Sequence, residues 1–390
     1  GQSARSFWPP HGPRRCGAMA AIQSLAALAL QACAAAPARA LGGGTPRKDG
    51  FWGLGGEGFI QCAPAVDAVP KQWLDPWSEV QRKAAEQTSD VRPQLLKQLA
   101  VSGRLRDDVL PETFFNGFRV DCLSITNCLA GIGVFGSLAK AQSAAVGQTL
   151  VALDVCGCLL LDDEALRQLL EACGATLKRL CVRDCRKLTD SCLEACSRAP
   201  VLEDVDIGGN FNMSIAAASI FAMHASAHDA SAKKRKKAQP ARNPPLLGMG
   251  VSGLKCDDSF LASLVISAAG DLRRLAVGFG AFRSDALAGA LAAWPNLVEV
   301  RCQWTPTFDD ACIAAIQEAC PKLKALDCLG TPASAGALAG LVGRRGRLLG
   351  KADEGRSLIW VNARYSAGPK HALEVLMQNW QDQGVVVVIK

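Results

Sequence analysis

The sequence predicts an α/β solenoid, with short parallel strands lining a concave face and helices covering the convex one. Three observations carry that expectation. Nine segments repeat variants of Leu-x-x-Leu-x-Leu-x-x-Cys, clearest in Leu150-Val-Ala-Leu153-Asp-Val155-Cys-Gly-Cys158 and Leu177-Lys-Arg-Leu180-Cys-Val182-Arg-Asp-Cys185. The copies begin at Leu96, Val120, Leu150, Leu177, Leu202, Leu246, Leu272, Leu297 and Leu323, with spacings of 24, 30, 27, 25, 44, 26, 25 and 26. The clear copies run into an acidic turn and then an apolar stripe at helical spacing, as in Asp162-Asp163 before Leu166, Leu169 and Leu170, and Thr189-Asp190 before Leu193 and Cys196. Self-similarity at a period of about 20 to 30 residues marks a leucine-rich repeat array, the horseshoe form of solenoid, in which one unit cannot seal its own apolar face.

The motif explains its own geometry. Alternate strand residues point to opposite faces, so Leu153 and Val155 face the interior and Asp154 faces solvent on the concave sheet. The ninth residue, Cys158 or Cys185, turns inward as the chain leaves the strand. The Asp or Thr that follows is a helix N-cap signal, accepting from free backbone N–H groups.

In chain order, residues 1–48 hold six Lys or Arg and no Asp or Glu. Acid-free, Arg- and Ala-rich sequence fits a mitochondrial or plastid transit peptide. Read from Met19, the apolar run Ala20 to Ala36 with Ala38-Arg39-Ala40 fits a secretory signal instead, and an uncleaved disordered tail is the third reading. Gln23, Ser24 and Gln31 interrupt the run, so no transmembrane helix is expected. Residues 49–92 read as an N-terminal cap with a helix over Trp77 to Glu86, because terminal repeats need covering. The repeats occupy 93–346. The spacing of 44 contains an insertion, about 225–245, rich in Ala, Ser, Lys and Pro and expected to be disordered. Residues 347–390 read as a C-terminal cap: a strand at Leu358 to Val361, a helix from His371 to Trp380, and a buried strand from Val385 to Ile389.

Composition narrows the function classes. The chain has 390 residues and a net charge of +7. Setting aside the cations of the leader and of Lys233 to Lys237 leaves −4 on the rest, which excludes a basic nucleic-acid-binding body. Its 17 cysteines fall mostly at repeat positions: Cys128, Cys158 and Cys185 end strand motifs, and Cys173, Cys196 and Cys320 end helices. That pattern suits thiols used as small apolar filling in a reducing intracellular compartment. The compartment is the mitochondrion or plastid if the leader acts, and otherwise the cytoplasm or nucleus.

Cys320-Pro321-Lys-Leu323-Lys-Ala-Leu326-Asp-Cys328 resembles the cysteine-containing leucine-rich repeats of F-box/LRR proteins, over about residues 96–345. The resemblance implies a substrate receptor of an SCF-type ubiquitin ligase, with a protein partner and a ubiquitin-ligase adaptor. Asn210, Leu254, Gly280, Thr305 and Thr331 replace the ninth-position Cys in later repeats. Leu110-Pro111-Glu112-Thr-Phe114-Phe115 imitates the start of an F-box, but no matching Trp follows and a repeat strand begins at Val120.

Other motifs give way to structural readings. Gly131-Ile-Gly133-Val-Phe-Gly136 matches a dinucleotide fingerprint, yet five residues separate Ile125 from Gly131 where the fingerprint needs a tight turn. It supports only a remote alternative, a nucleotide-binding oxidoreductase. His224 and His228 have helical metal-ligand spacing at the edge of the insertion, and Cys181/Cys185 and Cys192/Cys196 look like ligand pairs. Repeat positions explain Cys185 and Cys196, Cys181 lies on the concave strand, and a solvated helix end explains the histidines. Lys233 to Lys237 fits a nuclear-import patch or a solvated loop. With His11, His224, His228 and His371 the only histidines, acid–base chemistry has few candidates. No enzyme, cofactor or metal is expected.

The expected role is a non-catalytic protein-recognition scaffold, monomeric on its own. The second reading is an organellar assembly or structural subunit of a membrane complex. Concave positions supply the candidate contacts: Lys178, Arg179, Arg183 and Asp184 beside Glu203, Asp204 and Asp206, and Arg273, Arg274 and Phe279 beside Glu299, Arg301, Gln303 and Trp304. Trp and Arg dominate interface hot spots, which singles out the second group.

Overall fold

A computed structural model describes residues 92–144, 149–232, 245–268, 270–348, 360–363 and 386–388. The expected leader, most of the N-terminal cap, the Lys233–Lys237 run and the His371–Trp380 helix lie outside these residues. No helix among them is long and apolar enough to cross a membrane.

One sheet of ten strands runs in strict chain order: β1 (Cys122–Ser124), β2 (Ala152–Asp154), β3 (Arg179–Cys181), β4 (Asp204–Asp206), β5 (Gly248–Gly250), β6 (Arg274–Ala276), β7 (Glu299–Arg301), β8 (Ala325–Asp327), β9 (Trp360–Asn362) and β10 (Val386–Val388). Each pair is parallel. The middle residues stand in one register, so Leu123, Leu153, Leu180, Val205, Met249, Leu275, Val300, Leu326 and Val361 form a row. All are fully buried.

Helices alternate with the strands: α1 (Arg92–Val101), α2 (Ile132–Ala144), α3 (Asp163–Cys173), α4 (Asp190–Ser197), α5 (Ile215–Ala232), α6 (Asp258–Ala268), α7 (Ser284–Ala292), α8 (Asp310–Ala319) and α9 (Ala335–Leu348). Helix α5 takes in residues 225–232 at the start of the expected insertion.

The copy at Leu96 is not a strand. It lies within α1, and Val101, a core position in strand register, is 71% exposed. Leu-x-x-Leu fits helical spacing as well as the repeat motif, and Pro93 is tolerated in a first helical turn. Arg104 at the ninth position also lacks the inward role described below. The helix instead covers the first rung with Leu96 and Leu99. Arg92 ties it down, donating to the carbonyls of Phe114 and Asn116 and lying 5.1 Å from the Phe118 ring centroid. The F-box-like segment is a single 3₁₀ turn, Glu112–Phe115. Its Phe115 packs edge-on against Phe118, 5.6 Å between centroids, and both are buried.

The ninth position is more than filling. Cys158 and Cys185 each donate their thiol at 3.1 Å to a carbonyl one rung back, Ile125 and Val155 respectively. Asn210 does the same to Val182 at 2.8 Å, and Thr305 to Val277 at 3.4 Å. Asn210 and Thr305 thus exchange one donor for another, whereas Thr331 donates within its own rung to Cys328 at 2.8 Å and Gly280 has no side chain to donate. At the fifth rung Leu254 has no donor, and Cys256 two residues on reaches the Val251 carbonyl at 3.8 Å. Burial pushes the Cys158 and Cys185 thiols up and takes Cys173, Cys196 and Cys256 to about 12, so these stay protonated.

A second ladder runs along the helix N-termini. Asp162, Thr189 and Asp309 cap their own helices. The next residue serves the following repeat: Asp163 accepts from Thr189 N–H, Asp190 from Ser214 N–H and Asp310 from Ser334 N–H, at 2.9, 2.6 and 2.7 Å. The acidic dipeptides thus cap two helices each.

Asn210→Leu should cost about 2 kcal/mol by orphaning two buried carbonyls, while Asn210→Thr costs less because the hydroxyl still donates. Urea unfolding of the two variants tests this.

Candidate functional site

The concave face is built from the first and third residue of each strand. The third residue often ends the strand through its own side chain. Asp154, Asp206 and Asp327 accept from the N–H two residues on, those of Cys156, Gly208 and Leu329, at 3.2, 3.2 and 3.3 Å. Such local bonds compete with further strand pairing and turn the chain outward.

Charges on this face are sunk into it. Arg274 on β6 reaches across β5 to β4, where its Nε donates to Asp204 Oδ1 and its Nη1 to Asp206 Oδ2, both at 3.0 Å. Glycines make the crossing feasible. A Cβ at Gly248 would overlap the Asp204 carboxylate, and one at Gly250 the Asp206 carboxylate. Burial by itself would raise the Asp206 pKa, but the guanidinium groups of Arg274 and Arg183 hold it below the usual carboxylate range. Arg183 Nε stands 3.9 Å from Asp206. On β7, Glu299 pairs with Arg301. Gln303 and Asn362 donate to Asp327 at 2.5 and 3.0 Å.

The expected surface is corrected accordingly. Asp204, Asp206, Arg274, Glu299 and Gln303 are buried, as is Asp154, although each lies on the concave side. Adjacent rungs in a sheet stand about 4.8 Å apart, so long side chains there lie over their neighbours. Arg179, Arg183, Asp184, Glu203 and Arg301 are half-buried. Lys178, Arg273, Phe279 and Trp304 are exposed, Lys178 beside Glu203 at 3.3 Å. Asp327 and Asn362 were not anticipated; their signal was the Asp shared at the third strand position with Asp154 and Asp206.

The turn leaving each strand supplies a second surface. Its second residue is left-handed in every rung from β1 to β8: Asn127, Gly157, Asp184, Gly209, Gly253, Phe279, Trp304 and Gly330, with φ between 52° and 82°. Glycine takes this conformation freely and Asn or Asp tolerate it, whereas a bulky residue is a true outlier there. Side chains lean over the next rung's glycine: Asn127 over Gly157, Asp184 over Gly209, Trp304 over Gly330. Phe279 and Trp304 stand on consecutive rungs, 40% and 42% exposed. Phe211, 54% exposed, stands two residues beyond Gly209 on the same rim.

The remaining motifs resolve structurally. The N–H groups of Gly131 and Val134, which would face a pyrophosphate in a dinucleotide site, donate to Asp107 Oδ1 at 2.8 and 3.0 Å. A carboxylate already fills that helix N-terminus. Cys181 joins Cys122 and Ala152 in a small apolar cluster on the concave face, while Cys185 lies in the main core, so the pair does not converge. Among the described residues no group of three or more His, Cys, Asp or Glu is arranged for a metal. The side chains of His224 and His228 lie outside the described residues.

No family model matches the chain, and no curated protein matches it either. Among solved structures it is similar to Rad7 in its yeast complex with Elc1, at 11% identity and a TM-score of 0.47, covering 77% of this chain and 83% of that one. The repeat architecture rests on the sheet register and the shared core.

Two outcomes follow from the buried charges. Arg274→Met should destabilise by roughly 3–5 kcal/mol, because it strips buried Asp204 of its cation and leaves Asp206 only the more distant Arg183; chemical denaturation measures it. Burial raises Asp327 to about 6, against an ordinary 3.8. The native state therefore holds a proton that the unfolded chain has released, and this group's stabilisation is lost as pH rises from about 4 through 6, by at most about 3 kcal/mol. Asp327→Asn should remove that component from the stability–pH profile relative to wild type.

Proposed function

We propose that this chain is a non-catalytic protein-recognition scaffold whose partner seats on the rim and concave edge around Phe279 and Trp304. One observation carries the reading. Two large aromatic residues occupy left-handed backbone on adjacent rungs, half in solvent, where four of the other six rungs use glycine. Left-handed backbone costs a bulky residue about 1–2 kcal/mol, and such strain gathers at working surfaces. Trp and Phe are residue types enriched at interfaces, and Trp is a frequent hot spot. Sunken ion pairs make the centre of the concave face a rigid floor rather than a set of mobile contacts.

The finer reading is a substrate receptor of an SCF-type ubiquitin ligase. Its support is the cysteine-containing repeat phrase at Cys320 to Cys328, and function resides on surface positions rather than on the scaffold.

Trp304→Ala should lower partner affinity by at least about tenfold, as a hot-spot truncation does, with the urea midpoint and circular dichroism of a folded solenoid retained. Affinity purification with wild type and variant checks this, and equal partner yield sinks the site. Recovery of a cullin adaptor with the wild-type chain decides the ligase reading, since its absence from a purification that retains the partner removes it.

A further inference from the structure

Three consecutive rungs carry cysteine at the inward ninth position, Cys128, Cys158 and Cys185, and two of these thiols meet. The Cys128 and Cys158 Sγ atoms stand 3.3 Å apart, in a buried contact between the β1 and β2 rungs. The sheet register explains the meeting. Ser124 pairs with Asp154, and the same offset of 30 persists through the turn. There the Asn127 N–H donates to the Cys156 carbonyl and the Leu159 N–H to the Cys128 carbonyl, at 2.8 and 3.1 Å. Cys128 therefore stacks directly on Cys158. Neighbouring rungs about 4.8 Å apart fall within the roughly 4.4–6.8 Å between Cα atoms that a disulfide bridges. A disulfide bond is about 2.05 Å long, so the sulfurs need approach by only about 1.3 Å. The Cys185 thiol turns instead to the backbone carbonyls of Val155 and Arg183, at 3.1 and 3.5 Å.

The two thiols differ in reactivity. The hydrogen bond with Cys158 holds the Cys128 thiol below its ordinary value against the opposing effect of burial, and the Ala130 backbone helps. Burial pushes the Cys158 thiol up. Thiolate is the nucleophilic form, so Cys128 is the sulfur that reacts first. Cys128 is 2% exposed and Cys158 fully buried, which restricts the oxidant to one about the size of water. β1 is the first strand of the sheet, and a rung with one strand neighbour opens more readily than a rung with two.

We propose that Cys128 and Cys158 form a peroxide-sensitive dithiol whose disulfide staples the β1 rung to the β2 rung. Cys128 Sγ attacks one oxygen of hydrogen peroxide and breaks the O–O bond. A sulfenic acid forms, and the thiol proton leaves with the second oxygen as water. Cys158 Sγ then attacks the Cys128 sulfur to make the S–S bond, and the hydroxyl leaves with the Cys158 proton as a second water. Two thiols lose two electrons and one peroxide becomes two waters. The disulfide keeps no S–H, so the Ile125 carbonyl loses the donor it has in the reduced form. Oxidation thus exchanges a hydrogen bond between rungs for a covalent bond between them, which a dithiol reductant reverses.

The test uses the full chain, reduced and then treated with hydrogen peroxide, its remaining thiols blocked with N-ethylmaleimide before trypsin digestion without reductant. Cleavage after Arg119, Lys140 and Arg167 leaves Cys128 and Cys158 on separate peptides, which also carry Cys122 and Cys156 respectively. Mass spectrometry should find these peptides joined, with fragmentation placing the link between Cys128 and Cys158 and the blocking group on Cys122 and Cys156. Dithiothreitol added before blocking should abolish the link. Cys128→Ser should lose the joined peptides, and Cys122→Ser should keep them. Cys158→Ser, which retains a hydroxyl donor for Ile125, replaces the first variant if Cys128→Ser does not fold. Absence of a Cys128–Cys158 link at peroxide concentrations that oxidise a free cysteine peptide overturns the proposal. So does a link that forms equally in urea, because the stacked register would then not be its cause.

Discussion

Every rung of this solenoid leaves carbonyl groups that only a neighbouring rung can satisfy. The strands supply three residues each, too few to close on themselves, and the turn beyond them buries further carbonyls at Ile125, Val155, Val182 and Val277. A buried acceptor without a donor costs more than a typical hydrogen bond contributes, so the inward donor at the ninth position is the constraint on which stacking depends. Cys, Asn and Thr all meet it. Hydrophobic filling alone would admit Val at that position; most of the residues present share an N–H, O–H or S–H. Leu254 and Gly280 are the exceptions, and on the Leu254 rung the Cys256 thiol reaches the Val251 carbonyl instead.

Much of the fold was legible for that reason. Alternation placed Leu153, Leu180 and Leu326 on the inner row, and the acidic dipeptides marked the helix starts. The Leu96 copy misled because Leu-x-x-Leu belongs to two periodicities at once. What separated it from the rest was Arg104, which stands where the other copies carry a short inward residue. Depth on the concave face was less readable. Alternation tells which side a residue faces, not whether a neighbour's side chain covers it. Yet Gly248 and Gly250, both on the concave side of one strand, signalled that something must cross there, and Arg274 does.

The aromatic rim was half visible. Trp304 and Phe279 stood out as residue types, but their backbone conformation emerges only when the turns are compared as a column: Asn, Gly, Asp, Gly, Gly, Phe, Trp, Gly. Phe211 stayed hidden because it sits two positions beyond that column, beside Asn210. Surface chemistry of this kind is written in the differences between repeats, whereas the scaffold is written in what they share.

The leaning of one turn residue over the next turn's glycine makes the rungs unequal partners. Asn127, Asp184 and Trp304 each require bare backbone in the following unit. A lineage that lengthened this horseshoe by copying one of these three units would set a new side chain into that gap. Copying the β7 unit alone would press one indole against its twin. Growth directly after these three units is therefore constrained to insertions whose first turn carries glycine, and length is heritable there only in permitted phrases.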